Sequence, residues 1–306
     1  MAIAKKGLNY KAALRVVFSV SITFIIFFLI FRNVDIKAVK SSISRADLYL
    51  FLLAAILSVI EAVFLASFRW RLMLRRLGYK IGFKEALVVV IGSEPVGNFF
   101  PLKTGEFFKV LYLRRARGVP VAKTTLLVLC EQLLNFLSLF IFVILGGILS
   151  LKALLFNFFL INTPIDKSGL RGKAKTICKK ISNFFKIEYT NAIKIFQDKQ
   201  IIFYSFLIFA FELFIVYLLA ESLGIFIPAV NILVFVPLVV IVSSLPFTVA
   251  GTGIREVSLL FFFAQFGSPE ALLSLGLLYS FVEYLLPLLM GLLWVGRFWR
   301  GIVFKD

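Results

Sequence analysis

Histidine is absent from this chain, cysteine occurs twice, and acidic side chains number 16 against 34 basic ones. Without imidazole, a zinc or di-iron centre built on histidine is excluded. Cys130 lies in an apolar run and Cys178 in a basic one, so a disulfide between them is not expected and neither thiol reports a redox compartment. The chain also carries no phosphate-binding P-loop, no dinucleotide fingerprint, no Gly-x-Ser-x-Gly elbow and no metal-ligand cluster. ATP hydrolysis by the chain itself is therefore not expected, and the reading is a non-enzyme with no cofactor, no metal and no catalytic residue.

What the sequence has in excess is apolar surface. Hydrophobic residues make up 61% of its 306 positions and the mean hydropathy is +0.99, well above the roughly 45–50% apolar content of a soluble domain. Runs such as Leu48 to Phe68 and Ile201 to Leu223 match the ~20 residues a helix needs to span hydrocarbon. The expected fold is all-α: a polytopic helical membrane protein forming a single integral membrane domain.

The net charge of +18 sits mainly between these runs, which points to anionic lipid rather than nucleic acid as the partner. Arg69, Arg71, Arg75, Arg76, Lys80 and Lys84 form an acid-free basic loop, placed inside by the enrichment of Lys and Arg in cytoplasmic loops. Lys5, Lys6, Lys11 and Arg15 precede the apolar run Val16 to Phe31, which reads as an uncleaved signal anchor. Arg32 to Asp47 then lies outside. Long spans are expected from Val121 to Ile144, from Ile201 to Leu223 and from Ala271 to Trp294, with a weaker return from Gly146 to Asn162 that Lys152 makes uncertain. Both termini fall on the cytoplasmic side, in what reads as a prokaryotic plasma membrane.

Thr163 to Gln200 is the one sizeable polar stretch. Ile177, Ile181, Phe184, Phe185, Ile193 and Phe196 recur among its lysines at roughly helical spacing, which suggests an amphipathic helix on the cytoplasmic leaflet, with a solvated linker as the alternative.

Two apolar regions are interrupted. Glu85 to Phe100 is short and broken by Glu94, Pro95, Gly97 and Asn98, and Pro228 to Pro246 leads through Gly251 and Gly253 into a short helix, Ile254 to Phe266. The first continues as FPLKTGEFFKVLYLRRARGVPVA and the second as LPFTVAGTGIREVSLLFFFAQFGSPEA. Each has Pro (Pro101, Pro246), then Gly and Glu (Gly105 with Glu106; Gly253 with Glu256), then a short helix ending in Gly-x-Pro-x-Ala. A long helix with an acidic residue follows, Glu131 or Glu283. This shared order predicts two inverted repeats, about 48–150 and about 201–296, each containing a broken or re-entrant hairpin. A broken helix bares backbone groups that hydrocarbon cannot satisfy, so paired breaks imply an enclosed or wet cavity. Helix N-termini near Gly105 and Gly253 favour a phosphate or carboxylate there.

Glu94, Glu131, Glu212, Glu256 and Glu283 lie in or beside apolar runs, where a charge costs about 2.5–3.5 kcal/mol on insertion scales. The candidate substrate-binding set is Lys103, Glu106, Lys109, Arg114, Arg115, Glu131, Arg255, Glu256 and Glu283, with Pro101, Gly105, Pro246, Gly251 and Gly253 as structural breaks. The plain alternative, for Glu131 and Glu283 above all, is that the charges pair to hold the broken segments together. Glu212, in an otherwise ordinary span, reads as packing or interfacial.

The motif pair Pro101-Leu-Lys-Thr-Gly105-Glu106 and Gly251-Thr-Gly253-Ile-Arg255-Glu256 resembles the membrane region of lysylphosphatidylglycerol synthases and its stand-alone flippase-like relatives, from about Leu48 to Leu293. The resemblance implies movement of a lipid between leaflets, an anionic or aminoacylated phospholipid or a polyprenyl phosphate. By that similarity Pro101, Gly105 and Glu106 match the first motif, and Gly251, Gly253, Arg255 and Glu256 the second. Gln132 and Ser280 stand where such proteins often have arginine, which leaves the headgroup preference open. The chain stops at Asp306, shortly after the last helix, so synthase activity is not expected. The leading expectation is thus a flippase-like transporter of a phosphate-bearing lipid, with membrane lipids as partners and self-association as a further option. Its rivals are an intramembrane transferase using Glu256 or Glu283 as base, and a non-catalytic anchor subunit acting through Thr163 to Gln200.

Overall fold

The computed structural model describes residues 10–97, 106–149, 191–245, 248 and 251–303, and among these every regular element is helical. In chain order they are α1 (Tyr10–Asn33), α2 (Ile36–Ser44), α3 (Leu48–Arg76), α4 (Phe83–Gly97), α5 (Phe107–Arg117), α6 (Val121–Leu149), α7 (Lys199–Ser222), α8 (Ala229–Ser243), α9 (Ile254–Phe262) and α10 (Pro269–Val303). Among the described residues α3, α6, α7 and α10 are long and apolar enough to cross a bilayer, and a fifth crossing results if the bent pair α1–α2 forms one span. The chain is a polytopic all-α membrane protein.

Several boundaries differ from expectation. α3 does not stop at Phe68 but runs on to Arg76, because Arg69 is buried against acidic and polar partners rather than released to solvent. α6 continues through Gly146 and Gly147 to Leu149, where a new span was expected to begin. A Cβ on Gly146 would lie 2.7 Å from Val234, so this glycine is a contact for α8 rather than a break. The rest of the expected return crossing, 150–162, lies outside the described residues. α9 ends at Phe262, short of Phe266, and α10 extends past Trp294 to Val303. The segment after Arg32 contains α2, a short helix capped by Asp35, whose carboxylate accepts from the Lys37 amide at 2.8 Å. Of the expected amphipathic segment, 163–190 lies outside the described residues. Its end, 191–196, is helical and buries Ile195 in the bundle.

Contacts at the helix ends fix the topology. The Asp47 amide, just ahead of α3, donates to the carbonyl of Ser222, the last residue of α7, at 2.7 Å. Arg76, the last residue of α3, pairs with Asp198, just ahead of α7. The two spans are therefore antiparallel. α4 and α5, at about 1.5 Å per residue, reach only about 22 and 16 Å, too short for a core of about 30 Å. Glu85 in the first turn of α4 holds Arg117, the last residue of α5, through two hydrogen bonds of 2.5 Å. The hairpin thus enters and leaves at one end of the bundle, the end where α3 finishes among Arg71, Arg75 and Arg76. α8 and α9 form the second hairpin. Ile225, ahead of α8, lies 3.5 Å from a Cβ placed on Gly267, beyond α9, so this hairpin opens where α7 finishes, at the other end.

The first helix of each hairpin packs chiefly on a long helix of the other half, α4 on α10 and α8 on α6. The α4–α10 crossing depends on small residues: a Cβ on Gly291 would fall 2.6 Å from the Ile91 carbonyl oxygen, and one on Gly92 would fall 2.7 Å from Phe298 Cβ. Without a hydrophobic drive between helices in lipid, such close approach is what dispersion requires. The buried apolar core has two main parts, one around α4 and α5 (Trp70, Leu113, Leu127, Phe298) and one around α8 and α9 (Val216, Val236, Leu259, Tyr279), with a smaller third where Ile30, Val34 and Val39 meet Leu273 of α10.

Two turns of π-helix interrupt long spans, Ile60–Leu65 in α3 and Phe281–Leu285 in α10. Such bulges leave backbone carbonyls without their usual intrahelical donors. The Ser58 hydroxyl of α3 donates to the Val282 carbonyl of α10 at 2.8 Å, so the two spans are joined at their bulges.

Candidate functional site

Each hairpin carries buried charge into the bundle, and in each half the same three kinds of element meet there: the leading span, the second hairpin helix and the closing span. In the first half these are α3, α5 and α6. Arg69 of α3, 3% exposed, donates through Nη2 to Glu131 Oε1 of α6 at 2.7 Å and through Nη1 to Asn135 Oδ1 at 2.7 Å, with Ser205 Oγ at 3.4 Å. Lys109 of α5, 2% exposed, pairs with Glu106 one turn earlier, reaches Glu131 Oε2 at 3.5 Å, and lies 4.9 Å over the Trp70 ring. Glu131 therefore bridges a cation from a span and a cation from the hairpin. Burying one such ion alone would cost several kcal/mol, so the cluster is a condition for placing these groups in the membrane at all.

In the second half the elements are α7, α9 and α10. Gly251 and Gly253 adopt φ of +74° and +87°, which turns the chain sharply into α9. Glu256, in the first turn of α9, reaches back to accept from the Gly253 amide at 2.5 Å and so caps the helix. Its other oxygen accepts from Ser280 Oγ at 2.5 Å, and Ser280 in turn accepts from Arg255 Nη1 at 2.8 Å. The Arg255 guanidinium sits 3.4 Å from the centre of the Tyr284 ring and 5.7 Å from that of Tyr279, a desolvated cation–π arrangement. Tyr279 donates to Glu212 Oε1 of α7 at 2.5 Å, and Glu283, within the π-turn, has Glu212 and Arg255 as electrostatic neighbours.

The family follows from the chain as a whole. Residues 13–163 and 179–291 match the model of the lysylphosphatidylglycerol synthase transmembrane region, which takes in both hairpins and both clusters. The protein belongs to this family. It is also 26% identical, over 308 aligned positions covering 89% of this chain and 91% of the relative, to a UPF0104 membrane protein of Methanocaldococcus jannaschii.

Within this family framework the sequence-predicted residues separate clearly. Glu106, Lys109 and Glu131 come together at the first hairpin, with Glu94 of α4 as a further electrostatic neighbour of Lys109. Arg255, Glu256 and Glu283 come together at the second. Arg114 and Arg115 do not join the cluster: they lie exposed at the end of α5, turned outward where Lys109 turns in. Lys103, Pro101, Gly105 and Pro246 lie outside the described residues. Glu212, read as packing or interfacial, is the acceptor for Tyr279.

Sequence reasoning missed Arg69, Asn135, Tyr279, Ser280 and Tyr284. Arg69 was hidden by its neighbours, since Arg71, Arg75 and Arg76 make it read as the start of a solvated loop. The signal that separates it is spacing: Arg69 and Trp70 fall on the buried face of α3, whereas Arg71 and Arg75 are exposed.

Proposed function

We propose that this protein moves a phosphate-bearing lipid between the two leaflets, with the headgroup passing through the bundle along the buried clusters and the chains remaining in the bilayer. The observation that carries this reading is the pair of short hairpins opening at opposite ends, each bringing a buried, internally paired cation to the interior. The antiparallel arrangement of α3 and α7 and the reciprocal packing of the hairpins support reading the halves as inverted repeats, an architecture suited to alternating access. On the lysine and arginine asymmetry this reading takes the basic end of the bundle as the cytoplasmic one, with the C-terminal end of α10 on the cytoplasmic side of a plasma membrane.

The chemistry is partner exchange. Lys109 and Arg69 already sit against carboxylates at the first hairpin, and Arg255 is linked to Glu256 through Ser280 at the second. A lipid phosphate arriving at either cluster takes the place of a carboxylate at the cation, and the displaced carboxylate keeps a second partner, as Glu131 does with Arg69 when Lys109 is released, or takes up a proton. Arginine suits this role because its fork matches the phosphate oxygens. On this reading the protein is a transporter and not an enzyme, the lipid being an anionic phospholipid or a polyprenyl phosphate released unchanged.

The test is leaflet exchange in proteoliposomes of a short-chain fluorescent phosphatidylglycerol and of a fluorescent polyprenyl phosphate, with native protein, Lys109→Met and Arg255→Ala. Exchange above that of protein-free liposomes, reduced at least about tenfold by either substitution, corresponds to the loss of ~1.4 kcal/mol of stabilisation on the path and supports the reading. If neither lipid moves with folded, inserted protein, the transport reading fails for both classes. Recovery of a chemically altered lipid would replace it with a transferase.

A further inference from the structure

The second hairpin has two faces, and only one serves the buried cluster. Arg255, Glu256, Leu259 and Phe263 point into the bundle, whereas Val257 and Leu260 of α9 and Ala264 just beyond it line the other side. Opposite them stand Ile26, Leu29, Ile30 and Val34 of α1 and its exit, and between the two helices lies a groove of about 590 Å³, within the ~300–1,000 Å³ of typical ligand sites. All of the side chains named on both walls are apolar. Its inner end is closed where Ile26 packs on Gly253, at 3.0 Å from a Cβ placed there, so it ends directly behind the residue that caps α9. Its outer end is at Val34, Gly267 and Pro269, at the end of the bundle where α7 finishes. From Ile26 to Val34 the helical rise is about 12 Å.

We infer that this groove is a specific binding site for one acyl chain of an anionic phospholipid in the leaflet at that end, with the phosphate held at the mouth by Arg32 and Lys37. The occupant follows from the setting. The groove opens on the outside of a bundle of membrane-spanning helices, and the exposed basic residues Arg32 and Lys37 stand two and three positions in the chain from Val34, which lines its mouth. Asp35 between them is turned to its own backbone, accepting from the Lys37 amide. A chain lying along Val257 and Leu260 is separated from Arg255 and Glu256 by the thickness of α9 alone. The inference concerns occupancy and does not rest on transport.

The experiment is photo-crosslinking in nanodiscs with phosphatidylglycerol carrying a diazirine in one acyl chain, read by peptide mass spectrometry. Labelling of Val257 to Ala264, on α9 and just after it, and of α1 at Ile26 to Ile30 is expected to exceed that of Phe136 and Phe140, exposed apolar residues of α6, by about tenfold. Ala264→Phe, at an exposed position with room for the ring, fills the groove and brings labelling down to the α6 level. Arg32→Gln with Lys37→Gln removes the excess for phosphatidylglycerol over a phosphatidylcholine probe. Labelling no higher on α9 than on α6 in the native protein overturns the site, and an unchanged lipid preference in the double variant overturns the assignment of its mouth. Because no leaflet exchange enters the readout, failure of the groove and failure of the transport reading are separable.

Discussion

Replacing Glu131 by alanine isolates the physics of the first cluster. The carboxylate is 5% exposed and holds Arg69 at 2.7 Å and Lys109 at 3.5 Å. Its removal leaves Arg69 with only the neutral Asn135 and Ser205 as hydrogen-bond acceptors, and Lys109 with Glu106 as its paired carboxylate and Glu94 as a further acidic neighbour. Breaking a buried pair by deleting one partner typically costs about 3–5 kcal/mol, a shift of roughly 150- to 5,000-fold in the unfolding equilibrium. The assay is denaturant unfolding in mixed micelles, native against Glu131→Ala. The decisive comparison is the double variant Arg69→Met with Glu131→Ala, in which the stranded guanidinium is gone and an apolar chain of similar length fills its place. It is expected to recover at least half of the loss, since an apolar replacement of a buried pair is often close to neutral. A loss below about 1 kcal/mol in Glu131→Ala would be the value for a solvated surface pair and would refute the claim that the cluster is desolvated.

Three further outcomes are expected. Gly251→Ala places a Cβ 2.5 Å from the Ser243 carbonyl oxygen at a φ of +74°, so strain of about 1–3 kcal/mol should appear as a lower unfolding midpoint in a thermal melt. Ser280→Ala removes the hydroxyl between Arg255 and Glu256; losing that link should cost about 1–3 kcal/mol in denaturant titration and slow leaflet exchange, and Ser280→Thr should restore both. At the basic end, burial pushes the Asp198 carboxyl up, but the Arg76 hydrogen bond and the Gln200 amide outweigh it and hold it below its ordinary value. The stabilisation is therefore complete above the unfolded carboxylate value of about 3.9 and is lost as pH falls through the lower folded value. Asp198→Asn should reduce that acid-side loss when melts at neutral and acidic pH are compared.

The second break was legible because its makers are residue types: Gly251 and Gly253 turn the chain sharply into α9, whereas Pro95 and Gly97, expected to interrupt the first run, lie inside α4. The opposite orientation of the hairpins was an expectation drawn from the basic residues that end α3 and α5. What escaped was rotation. Tyr279 and Tyr284 sit in a span apolar all round, and no period distinguishes the face turned to Arg255 from the face turned to lipid. The π-turns escaped for a related reason: each adds about one residue to a turn without any Pro or Gly to announce it, so the face read forward from Leu48 is wrong beyond Ile60. Arg69 was lost to a rule that holds for loops, applied to a residue that is still inside the membrane.

The hydroxyl of Ser58 on the Val282 carbonyl has a mechanical meaning. At that depth no water stands ready to replace it, and a carbonyl stripped of its donor costs about 1–3 kcal/mol. α3 and α10 belong to different halves, so any sliding of the halves along this seam has to break this bond first.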